Sequence, residues 1–451
     1  MRLFNHFKSI NSFFRNKSVF KIVLEMMCWF FLFAALFSIH SLSFLKNIIP
    51  IIISICFSIC AFFYICLYGK LHINLFLYLI VFLVYAFIVT LFFSRDFINL
   101  KTYLTIILLY LASFEYLINV KNNSLACLIY ILSILGFAIW FIFHYKQDIL
   151  YIFKNMNSLR LGDYFAGINY VANTLLSGVV VCFAYMTLYK RYILSSITAA
   201  LAFVCILSTG SRMAFVGVLL TIITFMFIKL YKKHKIILFV VLISTIIIIA
   251  ILLSLPAFSS IRERMLSLFN FFSDASADGS TAGRLTMFMS GIDYWLKYLF
   301  TGLGAGGFSF ITGRVGYSHS TISEALCNFG LLGVLILCFP IIITCIFSKK
   351  ETKTRHFVLV FLFGFLFIGL VGTSLLQYKI LYFLLALMYS INLEENKYLY
   401  SNLSLSIIKD NRFCFSFEYH KGSIASKIKN MFCFKRFNFK LNEKEYYEIN
   451  I

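Results

Sequence analysis

Long apolar runs separated by short polar breaks fill most of this chain. A helix needs roughly 17 to 25 mainly apolar residues to cross a bilayer. Runs of that kind recur at about 22–40, 48–68, 72–93, 102–119, 125–144, 171–189, 192–207, 213–229, 236–255, 325–347, 356–372 and 375–391. The pattern predicts an all-α polytopic membrane protein with about 12 transmembrane helices and one large helical extracytoplasmic loop. The predicted segments are a cytoplasmic basic N-terminus at 1–21, helices 1–9 within 22–255, the loop at 256–323, helices 10–12 within 324–392, and a cytoplasmic basic tail at 393–451.

Composition agrees with this pattern, because 61% of the 451 residues are hydrophobic and only 13% are charged. The formal net charge of +22 would suggest a polyanionic partner in a soluble chain. In a membrane protein such an excess collects in cytoplasmic loops facing anionic lipid, so nucleic acid is not expected as a partner and membrane lipid is. The basic clusters at Lys8 to Lys21, Lys70, Lys121, Lys190–Arg191, Lys232–Lys235 and Lys349–Arg355 fall on alternate loops. They place both termini in the cytoplasm and turn the 146–170 and 256–323 loops outward. The twelve cysteines form no CxxC pair and mostly lie in apolar runs, where they read as small packing residues. In the tail, Ile424, Ile428, Met431 and Phe432 recur at helical spacing among six basic residues. That suits either an amphipathic helix on the inner leaflet or a disordered segment.

The loop from Pro256 to Ser323 holds most of the candidate chemistry. Just before it, Ser208–Ser211 are start signals that put Arg212 in the first turn of a helix running inward from the outer face. A cation there opposes the helix dipole unless an anion is bound, and free N–H groups beside a guanidinium suit a phosphate. A snorkelling interfacial arginine is the structural alternative. Arg284 repeats the arrangement if Ser280 or Thr281 caps an amphipathic helix carrying Leu285, Phe288, Met289, Ile292, Trp295, Leu296 and Leu299 on one face. Thr321 and Glu324 have capping-box spacing, so a span is expected to begin at Thr321 and leave His319 at its positive end. That field favours a neutral imidazole, suited to a general base, although a lone histidine is more often structural and Glu324 reads first as a cap. Gly302, Gly304 and Gly307 fit GxGxxG, but no strand precedes them, so a flexible turn is the better reading than a dinucleotide site.

These residues together resemble a known family. TGSR at a span start, AGRLTMF, GxGxGGF, a histidine and EALCNFGLLG are similar in order and topological side to the superfamily of Wzy-type O-antigen polymerases and O-antigen ligases, over roughly 160–340. RLGDYFAGINYVANTLL resembles the family's Arg-x-Gly loop and Asn-containing span, making Arg160 and Asn169 second-tier candidates with Arg314 and Glu324. The family often has Asn after the histidine, whereas this chain has Ser320. The resemblance implies a GT-C-like membrane glycosyltransferase in the bacterial plasma (inner) membrane. It further implies inverting transfer from an undecaprenyl-diphosphate-linked glycan without metal or other cofactor. Arg212 and Arg284 would bind the diphosphate, His319 would be the base, and a polysaccharide chain-length regulator would be a partner. A polymerase is the leading expectation, an O-antigen ligase the second, and a lipid-linked oligosaccharide flippase the third. Against the last, the clear acidic residues within spans are Glu25 and Glu115.

Overall fold

The computed structural model describes residues 18–40, 48–69, 73–155, 161, 168–230, 279–312 and 320–347, isolated helical positions within 240–262 and 383–391, and short strands in the tail. Helices α1 (Ser18–His40), α2 (Ile48–Tyr68), α3 (Ile73–Phe92), α4 (Phe97–Val120) and α5 (Asn123–His144) lead the chain. They are followed by α6 (Lys146–Asn155), α7 (Ile168–Tyr189), α8 (Ile193–Thr209) and α9 (Arg212–Leu230). Then come α10 (Gly279–Lys297), the short α11 (Gly307–Thr312) and α12 (Thr321–Phe347). Four helices among the described residues are long and apolar enough to cross a membrane, within α1, α2, α5 and α7, and five shorter apolar helices lie in α3, α4, α8, α9 and α12. The bundle is that of a multi-pass helical membrane protein.

Local signals set the helix ends. Asp96 Oδ1 accepts from Asn99 N–H (3.0 Å), so α4 starts a turn before its apolar run. Asn122 Oδ1 accepts from Leu125 N–H (3.1 Å) at the start of α5. Lys121 and Lys190 take left-handed conformations in the tight connections from α4 to α5 and from α7 to α8, and the second folds α8 back on α7. The loop expected over 146–170 begins with a helix of its own, Lys146–Asn155.

Two hydrophobic clusters fill the bundle. The larger joins α1, α2, α5, α7, α8 and α9 with Phe383, Leu384, Leu387 and Ile391, and takes Leu109, Tyr116 and Leu117 from α4. The second joins Phe82 and Ala86 of α3 and Tyr103, Ile107 and Phe114 of α4 to Ala305, Ala325 and Phe329. Phe329 meets Phe82 and Tyr103 edge-on, with ring centroids 5.3 and 5.0 Å apart. Helix α4 is therefore the common wall. Helix ends expected outside meet one another: Ser94 N–H donates to Leu303 O (3.0 Å), and Leu161 N–H to Ser208 O (3.2 Å). The sidedness itself rests on the distribution of lysine and arginine.

The tail departs from the all-α expectation. Strands β1 (Asn402–Ile407) and β2 (Phe413–Glu418) pair antiparallel, and β3 (Glu448–Ile449) adds to β2. In register, Leu403, Leu405 and Ile407 stand opposite Phe417, Phe415 and Phe413, a period-two alternation that specifies a hairpin. The tail helix expected over 421–440 lies outside the described residues. Among the described cysteines all eight are free, and Cys28, Cys127, Cys182, Cys205 and Cys327 are buried, as packing residues would be.

Helix α7 depends on close approach. An added Cβ at Gly178 would collide with the Ile134 side chain of α5, and one at Gly217 in α9 with Leu176 of α7. Gly178→Val is expected to cost about 1–3 kcal/mol by overpacking and to lower the Tm of detergent-solubilised protein. Gly283→Ala, with nothing within 4 Å of the new methyl, should leave Tm unchanged or raise it. A Gly178→Val protein as stable as wild type would show that α5 and α7 can separate freely.

Candidate functional site

The outer end of the bundle is built around a broken helix. Within α12, Gly330 has φ 62° and ψ −170°, which interrupts the hydrogen-bond ladder. A break of this kind strands backbone donors and acceptors, and at membrane depth these must find partners in the protein. Residues 299–304, which form a strap, supply them. Leu303 N–H donates to Cys327 O (2.9 Å) and Gly304 N–H to Asn328 O (2.7 Å), while Leu331 and Leu332 N–H donate to Leu299 O and Phe300 O (2.8 and 3.3 Å).

Glycine is required on both sides of this seam. Gly302, Gly304 and Gly306 all have positive φ. A Cβ at Gly302 would lie 2.6 Å from the Asn328 carbonyl carbon and Phe329 N, and one at Gly330 would collide with Phe300. The glycine-rich segment is thus a buried strap hydrogen-bonded to α12 and to the end of α3, and not the flexible turn expected from sequence. Helix α3 holds its outer side. Thr90 Oγ1 accepts from Ala305 N–H (2.9 Å), and Ser94 Oγ donates to Ala305 O (2.6 Å). The single Tyr85 hydroxyl proton faces three carbonyls, those of Phe329, Phe300 and Thr301, at 2.8, 3.0 and 3.0 Å.

Helix α12 begins at Thr321 as expected, but its cap is Ser320. The Ser320 Oγ accepts from Ser323 N–H (3.3 Å), and Glu324 N–H donates to Ser320 O (2.9 Å). Thr321 and Glu324 therefore do not form the expected box; Glu324 is buried in the first turn. Asn and Ser are about equally good N-caps, which gives a physical reason for serine where the resembling family often has asparagine.

Helix α10 begins at Gly279, earlier than expected, after Asp278, a favoured cap type that the sequence reading passed over. Arg284 then occupies the second turn, where the helix dipole has faded, so the first-turn anion argument does not hold for it. Its other contacts matter more. Ser323 Oγ donates to Phe288 O (3.0 Å), and the Ser323 side chain occupies the space over Gly291. Further on, Leu299 bonds to Leu331, so α10 and α12 run side by side in parallel. Position 284, one turn before Phe288, is level with Ser320, one turn before Ser323. The i, i+4, i+7 spacing of 284, 288 and 291 puts position 284 on the stripe facing α12. On this face Met287 and Tyr294 pack with Leu303, Phe308 and Cys327. The expected apolar face is split: Met289 and Leu296 are 49% and 59% exposed, whereas Phe288, Ile292 and Trp295 are half-buried.

Arg212 is the first residue of α9, as expected, directly after the buried Ser211. Leu161, next to Arg160, is bonded to Ser208, bringing that segment beside the α8–α9 turn. Asn169 is the second residue of α7 and half-buried. His319, Arg314 and Arg160 lie outside the described residues. The structure so groups the α10–α12 stretch with the α3 end, and Leu161 with the α8–α9 turn, in separate hydrophobic clusters. Among the described residues no group of three or more His, Cys, Asp or Glu is gathered.

In a comparison with family models, residues 197–338 match the model described as O-antigen ligase. The matched stretch runs from α8 through the strap into α12 and contains Arg212, Arg284, His319 and Glu324. The match takes in 142 of the 451 residues and supports a likeness between this part of the multi-pass membrane protein and the O-antigen polymerase and ligase superfamily. A search of curated proteins found no match.

The cap assignment gives a direct expectation. Ser320→Ala should destabilise the start of α12 by about 1 kcal/mol, whereas Ser320→Asn should keep it. Hydrogen exchange across Thr321–Glu324 reads this difference; equal protection in the two variants would remove Ser320 as the cap.

Proposed function

We propose that this protein is a polymerase that joins undecaprenyl-diphosphate-linked repeat units into O-antigen or a related surface polysaccharide at the outer face of the bacterial plasma membrane. The match over 197–338, which takes in the arginine-led helix starts, the strap and the start of α12, carries the reading. It supports O-antigen ligase or polymerase chemistry in general, a glycosyltransferase-like enzyme acting on lipid-linked glycan. The glycine-rich turn and the SHSTISEALCNFGLLG pattern favour the polymerase within it.

In the proposed reaction the acceptor hydroxyl attacks the anomeric carbon of the donor sugar from the face opposite the diphosphate. The carbon–oxygen bond to the diphosphate breaks with inversion, and undecaprenyl diphosphate leaves carrying the bonding electrons. His319 takes the proton of the attacking hydroxyl. Arg212 and Arg284 hold the diphosphate and offset its growing charge. Arg212 does so from the first turn of α9, beside free backbone N–H groups. Arg284 does so from the α12-facing stripe of α10, level with Ser320, which follows His319 in the sequence. Arg314 is a substitute for either arginine. No metal is assigned a role. A chain-length regulator is the expected protein partner.

The second reading is an O-antigen ligase, favoured by the description of the matching model. It uses the same donor and differs in acceptor, lipid A core. A lipopolysaccharide gel from a strain lacking the gene distinguishes the two: core carrying a single repeat unit indicates the polymerase, and bare core with polymer left on the lipid carrier indicates the ligase. His319→Ala should fail to restore the wild-type ladder while remaining in the membrane, a loss of about 10² to 10⁴ in rate for a general base. Arg284→Lys, which keeps the charge and loses the fork, should restore a weaker ladder. A normal ladder from His319→Ala would remove that residue as the base.

A further inference from the structure

The break at Gly330 separates Ser320–Phe329 from the helical ladder of the membrane span below it. Its place is therefore set by sideways contacts. The strap takes the carbonyls of Cys327 and Asn328, and Asn328 Oδ1 accepts from Phe308 N–H (3.2 Å) at the start of α11. Helix α10 takes Ser323 through the Phe288 carbonyl. The strap in turn hangs on the last two turns of α3. Thr90 and Ser94 clamp Ala305 at both its N–H and its carbonyl, Ser94 N–H holds Leu303, and Tyr85 reaches across to the Phe329 carbonyl and the turn at Phe300–Thr301. Thr90 and Ser94 are buried; Thr90 Oγ1 donates to Ala86 O (2.6 Å) in its own helix while accepting from Ala305 N–H, and the Ser94 hydroxyl donates to Ala305 O.

We propose that Tyr85, Thr90 and Ser94 are positioning residues for the transfer reaction: through the strap, the end of α3 sets where Ser320–Asn328 sits against α10. Hydroxyls at the end of the third helix thereby fix how the start of α12, which follows His319 in the sequence, lies against α10, the helix that carries Arg284. The inference rests on the reading above that those two act on the lipid-linked donor. None of the three hydroxyl residues touches substrate in this scheme; each acts through the strap.

The test uses full-length protein in lipid vesicles with a lipid-linked glycan donor. Tyr85→Phe and Thr90→Val keep shape and remove a hydroxyl; Thr90→Ser keeps the hydroxyl. Hydrogen exchange across 298–310 and 320–329 is followed without substrate, and kcat and KM for the donor are measured separately. Both deletions are expected to speed exchange in both segments. They should also lower kcat by on the order of 10-fold or more, since displacements of about 1 Å can cost about 10²-fold, with donor KM within about 2-fold. Thr90→Ser should behave as wild type in both. Faster exchange with unchanged kcat in an active enzyme overturns the inference and leaves only a structural role. Unchanged exchange overturns it too, because the strap is then held by something else. A wild type inert towards the donor sinks the reaction reading and this inference with it, so the two failures are told apart by the wild-type assay.

Discussion

The seam between the strap and the Gly330 break is the constraint on which the outer half of this protein depends. A helix interrupted in an apolar setting leaves peptide groups that lipid cannot satisfy, at about 1–3 kcal/mol for each one left buried and unpaired. Here Cys327, Asn328, Leu331 and Leu332 regain partners from four successive strap bonds, and Tyr85 adds a donor for Phe329. The exchange works only if two backbones touch, which is why glycine stands at 302 on one strand of the seam and at 330 on the other. The end of α10, the strap and α12 consequently form a single unit.

That unit brings the α10 stripe containing position 284 level with the cap of α12, while Arg212 belongs to the α7–α8–α9 side of the bundle. A diphosphate offers two charged groups, and an arrangement that holds it from two walls can grip the leaving group without enclosing the sugar. Helix α4, which lends side chains to both hydrophobic clusters, fixes the spacing of those walls. The exposed face of α10, with Met289 and Leu296, continues past the helix end into the exposed Leu299 and Phe300. An apolar surface at that place suits contact with lipid better than with water.

Much of this was legible in the sequence where one local signal decides the outcome. Apolar length alone located the long helices among the described residues, four of them long and apolar enough to cross a membrane, and Ser211 ahead of Arg212 was enough to put that arginine at the first position of α9. At α10 the reading took Ser280 or Thr281 as the cap, whereas the helix begins at Gly279, and that shift of two or three residues removed the dipole argument for Arg284. The alternation N-L-S-L-S-I and F-C-F-S-F-E in the tail specifies paired strands, but a search for helical spacing passed over it. Tyr85, Thr90 and Ser94 carried no such signal. Their importance comes from partners more than two hundred residues away, and an ordinary hydroxyl in an apolar run reads as a helix residue bonded to its own backbone.

Under the proposed function, the break gives a reason to interrupt a helix at this place. A continuous α12 would tie the direction of Ser320–Phe329 to the tilt of its membrane span, and tilt answers to bilayer thickness and to neighbouring helices. Gly330 cuts that link, and the strap replaces it with bonds to α3 and α10 that lie across the bundle. The outer segment is then referenced to other protein elements at its own level. A reaction between two lipid-borne substrates needs its base and its phosphate ligands in register with each other, and sideways hydrogen bonds among buried backbones provide that register whatever the membrane below is doing.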